Sequence, residues 1–441
     1  MGNFTGEPQT SIAGLPVIII GSGRAIYAKQ AVVGRCTGLA IAHGLKKAGI
    51  PVILFEKKPA LRFPGERDWN MGLHWGMPIL KSLIPESAVQ ALHSTQVDPN
   101  TPTKRFDTLK FVNGKTGKVI TRLPSPDFHR LRRSKLRALL CKGLDIRWNK
   151  RLKDIVFEHD GSRVTAVFED GEQITGRLII GADGSRSTVR ELILSPDLAA
   201  PLRLPYVSTF VQAKYTREQA LFLRSFHPLY IAAIHPDNMF AFFGLQDAPA
   251  VDKPEDWTFF FYISWNSPIE EQLKEAKTYD NKERLAQVKF LSKGFTEPWK
   301  SAFEWVADDQ PAWYFDMAVW DPSLPEHTWD TMNGRVTLAG DAAHPMTFRK
   351  SRVSCVRLFS RSNTLQERGQ GLNHSITDAG KLVQALTSAP NQSSAIQTYE
   401  LEMTNRAGAE VRCSIANTTM LHDWNRVLES PLMKTGLQQN K

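Results

Sequence analysis

The stretch "VIIIGSG" followed, after an interval, by "TGLAIAHGLKKAGIPVILFE" constrains this chain more than any other. Val17–Ile20 is a short apolar run of the kind that forms a strand buried on both faces of a parallel sheet. Gly21-Ser22-Gly23 gives a tight turn with almost no side chain. From Thr37 onward, Leu39, Ala42 and Leu45 set a helical period that ends at Ala48-Gly49. Pro51–Phe55 is a second strand, and Glu56 closes it with Lys57 beside it. A strand, glycine turn, helix and second strand in this order make a crossover unit. Its backbone can approach a pyrophosphate closely, and its terminal acid can accept the hydroxyls of a ribose. Gly21, Gly23, Gly38 and Glu56 are the residues such a dinucleotide site would use. The plain alternative is an ordinary strand–loop–helix that binds nothing.

The spacing is wrong in one informative way. The glycine fingerprint wants two residues between its second and third glycines, and the acid about 20 residues on. Here 14 residues separate Gly23 from Gly38, and Glu56 lies 35 positions after Gly21. Removing residues 24–35 restores both distances together. No second fingerprint of this kind occurs, so the sequence predicts one bound dinucleotide.

Two further stretches place a carboxylate at the end of a strand. In "DIVFEHDGSRVTAVFEDGEQITGRLIIGADGSRSTVREL", Asp160-Gly161 and Asp170-Gly171 punctuate three alternating strands of an antiparallel meander. Leu178–Ile180 is apolar enough to enter the main sheet. Asp183-Gly184 follows, and a helix opens over Ser187–Arg190. In "NGRVTLAGDAAHPMTFRKSRVSCVRLFSRSNTLQERGQGLNHSITDAGKLVQAL", the strand Arg335–Ala339 leads to Gly340-Asp341. Ile376, Ala379, Leu382 and Leu386 mark a helix from Asn373, and Gly369 and Gly371 precede it. Exposed amides at such a helix start suit an anion or an electron-rich ring. Residues 349–366 again separate parts that read as neighbours.

Elsewhere, "LKFVNGKTGKVITRL" reads as a hairpin, and residues 129–153 carry ten Lys or Arg against one Asp. Leu136, Leu139 and Leu140 give that segment a helical stripe, and most of its cations form a wet face. Arg67, Trp69, Asn70, His74 and Trp75 crowd together as pocket candidates, or as a loop with aromatic anchors. Over residues 200–330, "LYIAAIHPDNMFAFFGLQ" and "DWTFFFYISWNSP" are aromatic alternating strands, with helices over 270–291 and 298–306.

These residues resemble the FAD-dependent monooxygenases of the aromatic hydroxylase type, particularly the fungal salicylate-hydroxylase-like group. "GSG…TGLAIAHGLKKAG" with Glu56 is similar to the family's site for the ADP half of FAD. "LIIGADGSRSTVR" resembles the motif whose aspartate and arginine support FAD and pyridine-nucleotide use. "VTLAGDAAHPMTF…RGQGLNHSITDA" resembles the motif whose aspartate contacts the ribityl and pyrophosphate region. "RRSKL" resembles an arginine-bearing helix start near FAD, which points to Arg133. The resemblance runs to about residue 430.

What the resemblance implies is an α/β FAD-binding fold, Rossmann-like, with a mixed central sheet and an antiparallel meander. A second domain would be built on an antiparallel sheet with helices. The implied division is an FAD-binding domain over 1–200 and 331–430, a substrate-side domain over 201–330, and a tail over 431–441. FAD would be held noncovalently, with NADPH or NADH as co-substrate. A flavin C4a-hydroperoxide would oxygenate a small aromatic, polyketide-like or terpenoid-like molecule of secondary metabolism, with O2 as the other substrate. No catalytic side chain is singled out, because the flavin carries the chemistry.

Charge and cysteine content support the same view. The formal net charge is +10, and residues 24–35 and 349–366 carry +8 of it without a single acid. The basic balance therefore belongs to the two surplus segments and weakens a nucleic-acid reading. Of four cysteines, Cys36 and Cys355 fall beside or within those segments, and the set has no metal-ligand spacing. No run of apolar residues is long enough to span a bilayer, and the first residues lack a signal-peptide pattern, so a cytoplasmic enzyme is expected. The surplus segments read as translated introns or as surface loops, with the first preferred. In the alternative reading of the whole chain, they leave an inactive flavoprotein-like product.

Overall fold

The computed structural model describes residues 14–21, 35–61, 68–104, 107–125, 127–159, 161–347, 371–429 and 433. The expectation that the surplus segments loop outward concerns residues 24–34 and 349–366, which lie outside the described residues, as do Gly23, Arg67 and Gly369.

Five parallel strands form the central sheet, in the spatial order Val336–Leu338, Leu178–Gly181, Val17–Ile20, Val52–Glu56 and Ile146–Trp148. The strand Val17–Ile20 lies in the middle and is buried throughout, which is why it is a continuous apolar run. The helix Arg35–Lys47 packs its Leu39, Ile41, Ala42 and Leu45 into the core beneath it. Cys36 is a buried member of that core, so it belongs to the helix and not to the surplus segment that precedes it. The meander is a separate antiparallel sheet of Leu152–Phe157, Val164–Phe168 and Gln173–Gly176, with Gly161 and Gly171 at positive φ in its turns.

A second sheet has seven strands, in the order Ala312–Val319, Leu202–Ala213, Thr258–Asn266, Met239–Asp247, Tyr230–His235, Thr108–Asn113 and Val119–Pro124. All neighbours are antiparallel except Tyr230–His235 with Thr108–Asn113. The hairpin at 108–124 thus joins the aromatic sheet through Ala232 opposite Phe111, although it lies early in the chain. Alternation divides the sheet's faces. Phe259, Phe261 and Ile263 pack against the helices Asn281–Ser292 and Trp299–Glu304. Phe260 and Tyr262 turn to the other face with Phe240, Phe242 and Phe210. The helical region expected over 270–291 is two helices, Ile269–Thr278 and Asn281–Ser292. Asp280 separates them by accepting from the amides of Lys282 at 2.6 Å and Glu283 at 3.2 Å.

A two-stranded ribbon, Asn70–Leu73 with His129–Arg132, is placed beside both sheets. Asn70 Nδ2 donates to the carbonyl of Leu245 at 2.8 Å in the aromatic sheet. The long helices Gly371–Ser388 and Gln392–Leu421 complete the core, the first against Arg35–Lys47. Among the described residues no helix is long and apolar enough to cross a membrane.

Candidate cofactor site

The end of Val17–Ile20 is built for close approach. The amide of Gly21 donates to the carbonyl of Phe55 at 2.8 Å, and a β-carbon on Gly21 would sit 3.3 Å from that oxygen and 3.8 Å from Oε2 of Glu56. Glu56 is buried, and its Oε1 accepts from the amide of Lys58 at 3.0 Å. Lys57 lies between them with its Nζ out of solvent. Gly38 serves a different purpose: a β-carbon there would come within 3.0 Å of Ile19 and 3.3 Å of Ala182. Its lack of a side chain lets the helix lie on two strands at once. A cleft open to solvent is lined by Gly21, Gly38, Glu56, Arg137, Cys141 and Trp148, among others. Arg137 and Trp148 give it a cation and a flat ring that the sequence reading did not single out.

Asp183 lies at the end of the neighbouring strand and is wholly buried. One oxygen accepts from the hydroxyl of Ser187, and the other accepts from the amides of Thr188 at 2.7 Å and Val189 at 3.3 Å. Burial pushes its pKa up, and those donors oppose the shift. Asp183 therefore fixes the start of the Thr188–Ile193 helix, after a turn that Gly184 makes at φ +90°. Arg190 on that helix is also buried. It donates to the carbonyls of Ala199 at 3.0 Å, Ala342 at 2.6 Å and Ser185 at 2.6 Å, and lies 4.8 Å over the ring of Trp320. Burial lowers its pKa to about 10. This arginine ties the Asp183 turn to the Asp341 turn.

Gly340 is tightly enclosed. Its φ is +60°, and a β-carbon would fall 2.5 Å from Oγ1 of Thr37 and 3.0 Å from Oγ of Ser375. The turn of Gly340 is pinned between the starts of two helices. Asp341 beside it is half-buried and makes no side-chain hydrogen bond among the described residues. Burial, with the nearby Asp378 charge, pushes its carboxyl up to about 6, against the pull of His344 and Arg190. Its Oδ1 lies 4.0 Å from where a β-carbon of Gly371 would be. That carboxylate and the first turn of Gly371–Ser388 face the same space.

Behind them lies a buried polar group that the sequence reading missed. Asp378 accepts from the amide of Gly340 at 2.7 Å, from Nε2 of His344 at 2.6 Å and from Nη2 of Arg406 at 2.7 Å. Burial works against its charge, but His344 and Arg406 outweigh it and hold its carboxyl far below the usual range. Arg406 is held in turn by Glu402 at 2.8 and 3.0 Å. Asn373 accepts through Oδ1 from the amides of His74 and Gly76, both at 3.1 Å, and donates to the carbonyl of Gly72 at 3.2 Å. The pairing of "HP" after "GDAA" with "NHSITDA" was the available signal.

Close contacts therefore link Gly21 to Glu56, Gly38 to Ala182 next to Asp183, Gly340 to Thr37 next to Gly38, and Asp341 to Gly371. Arg133 opens the helix Arg133–Leu140, with its guanidinium 4.1 Å over the ring of Trp69 and its Nε 3.8 Å from Asp68. Arg137, one turn further, is the helix residue at the cleft. The set suits a dinucleotide: a bare backbone at the strand end, a buried acid beside it, and, where a helix begins, a second carboxylate with no side-chain hydrogen bond among the described residues.

Residues 15–349 match the family model described as "FAD binding domain". The FAD-dependent monooxygenase phnB of Penicillium herquei is 36% identical over 98% of this chain and 95% of its own. The FAD-dependent monooxygenase cctM of Talaromyces islandicus is 35% identical over 98% and 99%. Among solved structures, Klebsiella pneumoniae HpxO complexed with FAD and uric acid superposes with a TM-score of 0.67 at 17% identity, covering 95% of this chain and 94% of that one. The 2,6-dihydroxypyridine-3-hydroxylase of Arthrobacter nicotinovorans gives 0.66 at 15%, covering 98% and 95%. At those identities the likeness is one of fold.

Proposed function

The chain belongs to the family of FAD-dependent monooxygenases that carry this FAD-binding domain, and on that premise we propose the roles of its residues and the class of its substrate. Gly21, Gly23 and Gly38 would seat the pyrophosphate and the helix beside it. Glu56 would hold the adenosine ribose, with Lys57 and Arg133 near that end. Gly340, Asp341, Gly369 and Gly371 would frame the ribityl and ring end. Asp183 and Gly184 hold the turn that supports both ends. FAD held there noncovalently would accept two electrons from NADPH or NADH and supply oxygen activation. One oxygen atom of O2 would enter the substrate, and the other would leave as water.

The observation that carries the substrate class is the inner face of the seven-stranded sheet. Phe210, Phe240, Phe242, Phe260 and Tyr262 form one aromatic surface there, backed by Leu421 and Trp424 of the C-terminal region. Flat apolar molecules bury well against such rings, and water is kept out. We therefore assign a small aromatic, polyketide-like or terpenoid-like substrate of secondary metabolism, and a place in the salicylate-hydroxylase-like group.

The test is direct. Protein incubated with FAD and desalted should remain yellow, and NADPH or NADH should bleach it without oxygen. A panel of aromatic acids, phenols and polycyclic polyketides should then contain a compound that speeds NAD(P)H consumption and gains one oxygen by mass. A folded protein that stays colourless would favour an inert chain interrupted at residues 24–35 and 349–366.

A further inference from the structure

Arg130 lies on the ribbon strand His129–Arg132, directly opposite Gly72. Its surroundings are unusual for a guanidinium. It makes no ion pair and no side-chain hydrogen bond among the described residues, and its Nε is buried without a partner. Its near neighbours are rings: Phe242 at 4.8 Å and Tyr230 at 5.9 Å from the guanidinium carbon to the ring centre. Phe128 packs on Tyr230 at 5.4 Å and on His74 at 5.8 Å. The neighbouring Arg132 and Arg133 differ, since both have Asp68 within salt-bridge distance and Arg132 also meets Asp247.

The Arg130 side chain is half-buried with its Nε out of solvent, and ring faces compensate only part of the hydration it loses. Burial lowers the Arg130 pKa to about 10, which leaves it charged at neutral pH. Its position adds meaning. Gly72 across the ribbon is bonded to Asn373, two residues beyond Gly371, which faces Asp341. Phe242, one of its rings, belongs to the aromatic face assigned above to the substrate. The cation therefore stands between the cofactor-side helix start and the aromatic surface.

We propose that Arg130 is the specificity-determining anchor for an oxyanion on the aromatic substrate, a carboxylate or an ionised hydroxyl, so that the enzyme selects an aryl anion over its neutral isostere. The guanidinium donates to the anion while Phe242 and Tyr230 flank the ring that bears it. This rests on the proposed oxygenation of an aromatic substrate at this face.

The test uses the FAD-loaded protein and two matched pairs of probes: 2-naphthoate with 2-naphthamide, and 2-naphthol with 2-methoxynaphthalene. Binding is followed by probe fluorescence, which needs no turnover. The wild type should prefer 2-naphthoate to the amide by about tenfold or more, and bound 2-naphthol should show the red-shifted spectrum of its anion. In Arg130→Gln that preference and that shift should vanish, with amide affinity and FAD content unchanged. Arg130→Lys should restore part of the preference. A wild type that binds the members of each pair equally, or binds none of them, overturns the assignment. So does an Arg130→Gln protein that keeps the preference, or one that loses FAD, which would make Arg130 a cofactor contact. Probe binding with the anion preference but no NAD(P)H-dependent product from any tested compound would instead sink the oxygenation reading and leave the anion site standing.

Discussion

The amide of Gly340 donates to Oδ2 of Asp378 at 2.7 Å, so a helix 38 residues further along the chain holds the turn that presents Asp341. The same carboxylate neutralises Arg406 and fixes the ring of His344. One buried aspartate thus sets the position of the loop and of the helix that face each other across the ring end of the proposed cofactor site.

Removing that aspartate should be severe. Asp378→Ala leaves His344 buried without its acceptor and Arg406 with Glu402 alone, and loss of one partner from a buried ion pair costs about 3–5 kcal/mol. Chemical denaturation at pH 7 measures it. The folded-state pKa of Asp378 is depressed, so below the ordinary carboxylate range the unfolded chain binds the extra proton first. Its stabilisation is complete above about pH 5 and is lost as pH falls below about 4. Asp378→Asn should therefore lie closer to the wild type at pH 3 than at pH 7. An equal gap at both would remove the charge from the explanation.

Asp341 should behave in the opposite sense. Its carboxyl is raised from 3.8 to about 6, so between those values the folded chain holds the proton more tightly than the unfolded one. Stability should fall as pH rises through that window. Without FAD, Asp341→Asn should melt higher than the wild type at pH 8 and equally at pH 4, and it should retain less FAD. A variant that melts lower at pH 8 would show that the carboxylate is already satisfied.

Gly340→Ala combines two penalties, a side chain at φ +60° and a β-carbon 2.5 Å from Oγ1 of Thr37. A loss of about 1–3 kcal/mol is expected, with lower FAD content, because Thr37 lies in the first turn of the helix, next to Gly38. Unchanged melting would mean that the Thr37 turn moves freely.

Glu56→Ala should weaken FAD without abolishing it, since the contacts of Gly21 remain. Losing charge-assisted bonds to ribose hydroxyls should raise the dissociation constant about ten- to a hundredfold in a titration of apo-protein. Unchanged affinity would sink the assignment of Glu56.

Strand ends were legible in the sequence because the buried parallel strands Val17–Ile20 and Leu178–Gly181 are apolar runs that stop at a glycine, and Val336–Leu338 has Gly340 two residues on. The aromatic sheet was legible from alternation. What the helix periods could not show was the use of polar residues inside helices. Asn373 and Asp378 lie among apolar positions of Gly371–Ser388, and their partners, at Gly72, Gly340 and Arg406, are distant in sequence. The three donors of Asp183, on Ser187, Thr188 and Val189, were likewise visible only in the structure. Arg130 was hidden in a run of ten cations, where its lack of a carboxylate partner among the described residues distinguishes it from Arg132 and Arg133.

The last prediction concerns the two surplus segments. The described residues on either side of each are already arranged as neighbours should be. Gly21 is bonded to Phe55, and Gly38 lies against Ile19 and Ala182, which is the close strand–helix packing the fingerprint requires. Asp341 likewise faces Gly371 across the second interruption. Both arrangements are seen between described residues, and a longer loop between fixed ends costs little in closure entropy. Deleting 24–35 and 349–366 together should leave a folded chain of 411 residues, keeping Cys36 in its core position. FAD per mole of protein should be at least that of the full chain, and the isoelectric point should fall because eight cations leave with no acid. Flavin absorbance and melting temperature with and without FAD make the comparison. A double deletion that folds but takes up no FAD, beside a yellow full-length protein, would show that these segments are working parts of the site.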